Sequence, residues 1–386
     1  MSRARHILPR FLLGSYQQGY SFALSLASPT LFSLRCIKLK VNQIRMTTER
    51  WIFMAQVYIS ATLPKSANNA LKRAGVDFEA YRGKGLITEA ELQAHLSDAK
   101  VLITALSTPV SAATLAKAPH LKLIANYGAG FNNIDITAAK AHGVLVTNTP
   151  KVSTTSTAEV TLALMLAVLH RVTEGDRLMR GPGFSGWAPT FFLGHELAGK
   201  TVGIIGMGQI GQAVAKRVHA FDANILYTQH HQLPSEKEQS LGATFTDQAT
   251  LLQQSDLVTL HLPLVPATHH LLDAQALATM KPSAYLINAA RGPLIDEAAL
   301  LEQLTAHRLA GAALDVYEAE PHVSSELKAL DNVVLTPHIG NATVEARDAM
   351  AKIVTDNTLA ILSGKQPRYI VTVSYTHLTL PTICSV

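Results

Sequence analysis

The stretch TVGIIGMGQIGQAVAKRV, residues 201–218, decides the fold of this 386-residue chain. A short apolar run leads into three glycines spaced G-x-G-x-x-G, and a helical pattern follows. Gly206 permits a tight turn, Gly208 lets the backbone approach a ligand, and Gly211 lets helix and strand pack closely. Backbone N–H groups at the helix start would then face a pyrophosphate. Between a strand and a helix, the pattern favours a dinucleotide-binding turn over a purely structural one.

The next strand-like run, residues 224–233, bears on which dinucleotide binds. A carboxylate at the end of this strand would hold the ribose hydroxyls of NAD. The expected position holds Thr228 or Gln229, so no acid there repels the 2′-phosphate of NADP. His230 and His231 either pair with that phosphate or are ordinary solvated histidines, and the residues leave both interpretations open. We therefore expect NAD(P)H as cofactor, with NADPH slightly favoured.

Short apolar runs alternate with helical patterns on both sides of this turn. The runs are continuously apolar, as in LVTLHLP and YLINAARG, which is typical of parallel strands covered on both faces. Residues 100–130 also resemble residues 257–292, a faint internal repeat. We predict an α/β fold with two Rossmann-like, doubly wound parallel-sheet domains, one flavodoxin-like and one dinucleotide-binding.

The same alternation predicts how the chain is divided. Residues 54–152 are expected to form the first part of the substrate domain, and residues 153–340 the dinucleotide-binding domain. Residues 341–372 are expected to contain a C-terminal helix that returns to the substrate domain.

Both ends of the chain differ from the rest in composition. Residues 1–53 are rich in Arg and Ser, which is typical of a mitochondrial presequence or of upstream sequence translated from a wrong start. We favour the second interpretation, with Met54 as the natural beginning and the leader outside the fold. Residues 373–386 resemble an artefactual tail.

Composition and charge narrow the class of protein. Apolar residues make up 48% and charged residues 16% of the chain, which excludes a disordered protein. Residues 1–53 hold eight of the 33 basic and one of the 28 acidic residues, so the remainder, with 25 and 27, is slightly acidic. No nucleic-acid partner is indicated. No apolar run is long enough to span a membrane, so no membrane partner is expected either. Cys36 and Cys384 lie near the ends, which favours a reducing, cytoplasmic location.

Three strand-like runs each end in a polar residue. Arg291, Glu320 and His338 follow successive runs, and Asp315 follows the same run as Glu320. Because strand C-termini of a doubly wound sheet converge on the ligand crevice, we expect these groups in one place. Singly, an arginine after a strand is more often a surface ion pair and a His-containing turn more often structural. Their joint arrangement behind the glycine turn favours catalysis.

These residue types suit hydride reduction of a 2-keto acid. A guanidinium grips a carboxylate by two parallel hydrogen bonds and polarises the neighbouring carbonyl. A histidine gives and retrieves a proton near neutral pH. A glutamate beside it favours the imidazolium and fixes the tautomer. We therefore interpret His338 as the proton donor to the ketone oxygen, with Glu320 behind it and Arg291 on the substrate.

The chain resembles the D-isomer-specific 2-hydroxyacid dehydrogenase family over about residues 55–370. The most specific segments are GKTVGIIGMGQIGQAVAKR, HLPLVPATHHLL, LINAARGPLIDEAAL, GAALDVYEAEP and LTPHIGNAT. The resemblance implies that Arg291, Glu320 and His338 are the catalytic set. It also implies that Asp315 contacts the nicotinamide carboxamide and that Thr157 lies near the cofactor.

The resemblance extends to the substrate loop and the assembly. It implies that backbone N–H groups of Ala129 and Gly130 receive the substrate carboxylate. It further implies a homodimer with residues 159–172 near the interface. If Leu106 lines the pocket, the substrate is small. The remaining candidate cofactor contacts are Gln209, Ile210, Pro263, Thr268 and Ala289.

The predicted function is NAD(P)H-dependent reduction of a small 2-keto acid, of the glyoxylate, hydroxypyruvate or pyruvate class, to the D-2-hydroxy acid. The alternative is a dinucleotide-sensing transcriptional corepressor of the same fold. No metal site is expected, because the histidine pairs His230/His231 and His269/His270 are adjacent and should not both point into one strand-side site. The family's chemistry also needs no metal.

Overall fold

The computed structural model describes residues 55–105 and 108–371. The expectations for residues 1–53, Met54, Leu106 and the tail at residues 373–386 lie outside the described residues.

The first of two sheets has five parallel strands in the order β2-β1-β3-β4-β5. That order is the flavodoxin-like one. Its strands are β1 (Val57–Ile59), β2 (Phe78–Ala80), β3 (Val101–Ala105), β4 (Leu123–Tyr127) and β5 (Leu145–Thr147). The helices between them are α1 (Lys65–Arg73), α2 (Glu89–Ala94), α3 (Ala112–Ala116) and α4 (Ile136–Ala141).

The second sheet has seven parallel strands in the order β12-β11-β10-β9-β6-β7-β8. They are β6 (Thr201–Ile205), β7 (Asn224–Thr228), β8 (Ala243–Phe245), β9 (Leu257–Leu260), β10 (Tyr285–Asn288), β11 (Gly311–Leu314) and β12 (Val333–Leu335). The order reverses between β6 and β9, which is where a doubly wound sheet forms its ligand crevice. The predicted fold class is confirmed.

Helices cover both faces of the second sheet, and one more helix follows its last strand in the chain. They are α5 (Thr154–Leu169), α6 (Val172–Arg180), α7 (Gln209–His219), α8 (Ser235–Leu241), α9 (Gln248–Gln254), α10 (Ala274–Ala278), α11 (Glu297–Thr305), α12 (Ser325–Ala329) and α13 (Val344–Leu362). Short 3-10 turns span Pro266–Thr268 and Gly292–Leu294. Helix coverage explains the continuous apolar strands, because all four residues of β9 are buried.

Short polar side chains fix where many of these helices begin. At each start, an Asp, Ser or Thr oxygen accepts a hydrogen bond from a backbone N–H three residues on, which satisfies a donor that the helix leaves free. These caps are Thr88, Ser111, Asp135, Asp247, Asp273, Asp296, Ser324 and Thr343.

The last helix packs against the first sheet. Met350, Ala351 and Val354 of α13 are buried in one cluster with apolar residues of β1, β3 and β4. The Tyr127 hydroxyl of β4 donates a 2.6 Å hydrogen bond to the Arg347 carbonyl of α13. The domain boundaries at residues 152/153 and 340/341 stay a prediction.

Among the described residues, no helix combines the length and the apolar character needed to cross a bilayer.

Candidate active site

The glycine turn joins β6 to α7 at the point where the strand order reverses. Gly206 has φ of +96°, and a Cβ there would lie 2.5 Å from the His261 carbonyl oxygen. A Cβ on Gly211 would overlap the Gly206 carbonyl, so helix and turn meet at backbone distance. Gly208, the N-cap of α7, has open space around its Cβ position. The turn is therefore closed on its inner side and open at the helix start, which suits a pyrophosphate.

Candidate cofactor residues border this turn on β7 and α7. Thr228 is the last residue of β7, and its carbonyl accepts a 2.9 Å hydrogen bond from the Gly206 N–H. His230 lies two residues further on and is exposed. Gln209 and Ile210 form the first turn of α7 and are exposed and half-buried, respectively.

The remaining candidates lie beyond β9 and β10 on the same edge of the sheet. The Thr268 hydroxyl donates to the Pro263 carbonyl at 2.8 Å and accepts from the Val265 N–H at 2.9 Å. These bonds fold residues 263–268 into a compact loop. Ala289 is buried directly after β10. All parallel strands end at this edge, so the loops after β6, β7, β9 and β10 surround one crevice.

His338 and Glu320 form a hydrogen-bonded pair. His338 Nδ1 lies 2.9 Å from Glu320 Oε2, and the other carboxylate oxygen accepts from the Tyr317 N–H at 3.0 Å. Burial alone would raise the pKa of Glu320. The hydrogen bond and charge of His338, the Tyr317 amide and the Arg291 charge together hold this pKa below its usual value. An ionised carboxylate only accepts hydrogen bonds, so Nδ1 carries a proton and Nε2 is left for a substrate.

The loop that carries His338 is held from behind by Asp315. This side chain is 0% exposed. Its oxygens accept from the Thr336 hydroxyl at 2.6 Å and from the N–H groups of Ile339 and Gly340, both at 2.7 Å. The carboxylate thus binds the backbone next to His338, which itself has a left-handed φ of +54°. Contact between Asp315 and a nicotinamide carboxamide stays a prediction.

Thr157 holds the same loop from another side. The Ser156 and Thr157 hydroxyls, in the first turns of α5, donate to the Gly340 carbonyl at 2.8 and 3.0 Å. Both side chains are buried. The loop after β12 is therefore fixed through both its N–H and its carbonyl groups.

Arg291 follows β10 and reaches across to the first sheet. Its Nη1 donates to the Ala290 carbonyl at 2.6 Å, and Asn288 Nδ2 holds the Arg291 carbonyl at 2.8 Å. A Cβ on Gly130 would overlap Arg291 Nη2 and lie 3.0 Å from Cζ. Only glycine at position 130 leaves the guanidinium this room.

Among the described residues, the Arg291 guanidinium has no close counter-ion. Burial lowers its pKa, and the charge of Glu320 only partly opposes that effect. Within residues 55–105 and 108–371, no carboxylate oxygen lies within 4.0 Å of it. A partly buried cation without a partner is costly, and an anionic ligand would relieve that cost.

The loop after β4 presents N–H groups beside this guanidinium. Buried Asn126 donates to the Gly130 carbonyl at 2.6 Å, and Asn148 donates to the Ala129 carbonyl at 2.7 Å. The carbonyl oxygens of Ala129 and Gly130 are thereby engaged. Among the described residues, the N–H groups of these two residues have no acceptor. They are available to a carboxylate.

His261 is a residue of this crevice that sequence reasoning missed. It follows β9, its carbonyl oxygen lies 2.5 Å from where a Cβ on Gly206 would be, and its Nε2 lies 3.0 Å from the buried Thr259 hydroxyl. The residue keeps some exposed surface, yet burial lowers the pKa of its imidazole to about 3. His261 is therefore neutral at physiological pH. The signal was available in LVTLHLP, where a histidine ends an apolar run.

The expectation that adjacent histidines point apart was wrong for His269 and His270. Their rings stack with centroids 4.1 Å apart. One ring nitrogen of each histidine lies within 4.8 Å of a carboxylate oxygen of Glu318. They lie in a loop rather than a strand, so the alternation of side chains along a strand does not apply. His230 and His231 are both exposed.

The chain was compared with known proteins by sequence and by structure. The family described as D-isomer specific 2-hydroxyacid dehydrogenase, NAD binding domain, matches residues 162–340. A protein of Staphylococcus saprophyticus that is named as a candidate 2-hydroxyacid dehydrogenase is 51% identical over 318 residues, which are 82% of this chain and 100% of that relative.

Two solved structures are similar over the same part of the chain. A protein of Thermus thermophilus has a TM-score of 0.77 and 41% identity, covering 82% of this chain and 99% of that one. An NADPH-dependent glyoxylate/hydroxypyruvate reductase of Sinorhizobium meliloti has a TM-score of 0.70 and 29% identity, covering 82% and 97%.

The geometry around Asp315 predicts the effect of Asp315→Asn. The amide NH₂ of the new side chain would face one of the backbone N–H groups that now donate a hydrogen bond to the carboxylate. We expect a loss of about 1–3 kcal/mol in the free energy of unfolding, because a buried donor is left unsatisfied. Urea unfolding measures this difference.

The matched control is Asp331→Asn, which removes a carboxylate that is 90% exposed and 3.7 Å from Arg177. An exposed pair of this kind contributes about 0–1 kcal/mol. If Asp315→Asn were no more destabilising than this control, other contacts would hold the His338 loop.

Proposed function

We propose, from the premise that this chain belongs to the D-isomer-specific 2-hydroxyacid dehydrogenase family, that it reduces a small 2-keto acid to the D-2-hydroxy acid with NAD(P)H. The family makes the protein an oxidoreductase that uses a nicotinamide cofactor and acts on small 2-hydroxy or 2-keto acids. The substrate, the preferred cofactor and the role of each residue are the subject of the proposal.

Arg291 carries the proposal. Its partly buried guanidinium has no carboxylate within 4.0 Å among the described residues, and it lies against Gly130, whose N–H has no acceptor there. A 2-keto acid offers a carboxylate for two parallel hydrogen bonds and an adjacent carbonyl that the cation can polarise. The N–H groups of Ala129 and Gly130 would bind the same carboxylate from the other side.

Proton transfer follows from the His338–Glu320 pair. The carboxylate keeps the proton on Nδ1, so the imidazolium gives up its Nε2 proton to the ketone oxygen. The bound nicotinamide supplies the hydride that reduces the carbonyl carbon. The product hydroxy acid then carries the hydride on its carbon and the proton on its oxygen, and His338 is left neutral. Glu320 stays ionised throughout and stabilises the charged form of its neighbour.

We propose glyoxylate, hydroxypyruvate or pyruvate as the substrate class. The Sinorhizobium meliloti protein is named for reduction of the first two. The corepressor alternative gains no support, because the named relatives are dehydrogenases. A cytoplasmic location belongs to the same proposal and is supported by the lack of cysteine in residues 54–372 of the sequence.

Replacing His338 with Ala tests the proton donor. We expect kcat for reduction to fall by about 10²–10⁴-fold, the usual contribution of a positioned general acid, while binding of NAD(P)H is unchanged. Initial rates with glyoxylate, hydroxypyruvate and pyruvate, each with NADH and NADPH, give the measurement. Cofactor fluorescence gives the binding control.

The matched variant is His120→Ala, which removes an exposed histidine of the first sheet's surface. Its rates should equal those of the wild type. Near-normal turnover by His338→Ala would remove this residue from the mechanism, and no turnover by the wild type with any of the three acids would refute the substrate class.

We further propose that the enzyme favours NADPH. Thr228 ends β7 beside the glycine turn, at the place where an acid would hold the ribose hydroxyls of NAD, and exposed His230 lies two residues further on. Neither residue repels a 2′-phosphate. The Sinorhizobium meliloti reductase is named as NADPH-dependent, which agrees with this preference.

Thr228→Asp is expected to reverse the preference. A carboxylate beside the 2′-phosphate is repelled by it, so the ratio of kcat/KM for NADPH to that for NADH should fall by about tenfold or more, which is about 1.4 kcal/mol. Thr244→Asp places the same charge on an exposed position of β8 and should leave the ratio unchanged. Equal ratios for wild type and Thr228→Asp would show that this residue does not face the cofactor.

We propose that the protein is a homodimer through α6 and the loop after it. Trp187 is 83% exposed, and Val172, Met179, Phe184 and Leu193 are also exposed. Phe184 stacks on Phe191 with centroids 6.0 Å apart, so these two exposed rings form one apolar surface. Monomers rarely leave such a surface uncovered. A second copy is the proposed partner because the family resemblance implies a homodimer with residues 159–172 near the interface, and α6 follows these residues in the chain.

Trp187→Ser should weaken the dimer. Loss of a central aromatic anchor costs about 2 kcal/mol, or roughly 30-fold in the dimer dissociation constant. Sedimentation velocity across a dilution series measures it. Leu86→Ser, at an exposed leucine outside this surface, should leave dissociation unchanged. A wild-type monomer at all concentrations, or equal dissociation for the two variants, would refute this interface.

A further inference from the structure

Two histidines and a glutamate form a cluster on loops that flank the keto-acid site. His269 and His270 follow the turn Pro266–Thr268, and Glu318 follows β11. His270 Nε2 lies 2.7 Å from Glu318 Oε1, and the two imidazole rings stack. One ligand atom from each of the three side chains lies within 4.8 Å of the other two.

The backbone holds these side chains in place. His270 adopts a left-handed φ of +49°, which a non-glycine residue rarely does, and its N–H donates to the Pro293 carbonyl at 2.8 Å. The second Glu318 oxygen accepts from the Glu297 N–H at 3.2 Å, and the Glu318 N–H donates to a Glu297 oxygen at 3.0 Å. Hydrogen bonds of this kind orient the ligands of metal sites.

The donor set selects a class of cation. Two imidazole nitrogens and a carboxylate oxygen suit borderline transition metals such as Zn²⁺, whereas Mg²⁺ and Ca²⁺ prefer oxygen ligands alone. With ligand distances of roughly 2.0–2.2 Å, ligand atoms of a tetrahedral Zn²⁺ site are about 3.3–3.6 Å apart. The three atoms therefore need only small side-chain rotations. A water would complete the site.

We propose that His269, His270 and Glu318 bind one divalent cation of the zinc class. The site connects the loop after β9 to the loop after β11. Glu318 is two residues from Glu320, and Pro293, which holds His270, is two residues from Arg291. The cation restrains these loops without touching the keto acid. The proposal does not rest on the proposed function, since metal binding is measured without turnover.

Titration of the untagged full-length chain tests the site. After treatment with a chelator, calorimetry with ZnCl₂ should show one equivalent bound with a Kd of about 10 µM or tighter. Co²⁺ should give the intense visible absorption of a four-coordinate ion with histidine and carboxylate ligands. A wild-type protein that takes up no Zn²⁺ under these conditions overturns the proposal.

Two substitutions test whether these side chains are the ligands of the bound Zn²⁺. His269→Ala is the primary variant, because φ at this position is −64° and the change adds no backbone strain. Glu318→Gln is the second, and each should weaken Zn²⁺ binding about tenfold or more. His142→Ala, which removes the exposed histidine that caps α4, should bind as the wild type does. Binding that survives both His269→Ala and Glu318→Gln refutes the site, and unchanged circular dichroism shows that the variants are folded.

Discussion

The buried carboxylate of Asp315 is the group on which the position of the loop after β12 depends. It binds the Thr336 hydroxyl and two successive backbone N–H groups, and so determines where the loop after β12 places His338. The Gly340 carbonyl in turn accepts from two hydroxyls of α5. A loop that binds through both N–H and carbonyl groups has few alternative positions. A left-handed conformation costs free energy for a residue other than glycine, and these contacts hold His338 in it.

Arg291 couples the two sheets through one close contact. Its guanidinium lies where a side chain at position 130 would be, so a loop of the first sheet and a loop of the second meet at the cation. The charge of Glu320, which His338 already binds, partly opposes the effect of burial on the pKa of Arg291. An anionic ligand beside Arg291 would add the negative charge that no described carboxylate supplies within 4.0 Å.

The parts of the fold and site that could be predicted from sequence are those with a local cause. The glycine pattern constrains its own turn, and continuous apolar runs identify covered parallel strands. Arg291, Glu320 and His338 could be singled out because each follows a strand, and the structure brings Glu320 and His338 into hydrogen-bond contact. His261 was missed because its importance depends on β9 lying next to β6, and strand order is not written in any single segment. The histidine cluster was misjudged because a left-handed loop residue turns its side chain where a strand residue would not.

The state of Glu320 connects the chemistry to the stability of the fold. Its pKa in the folded protein is below the ordinary value of 4.5, so ionised Glu320 stabilises the fold above that pH. The contribution is lost as the pH falls through the lower, folded-state pKa. The same protonation removes the acceptor that keeps the proton on Nδ1 of His338, and with it the arrangement that leaves Nε2 as the donor. Acid therefore weakens the Glu320–His338 pair and the native structure through one group. His261, which burial keeps neutral down to a pKa of about 3, adds a second contribution of the same sign. Its unfolded form binds a proton more readily than its folded form, so unfolding becomes more favourable as the pH falls below about 6.5.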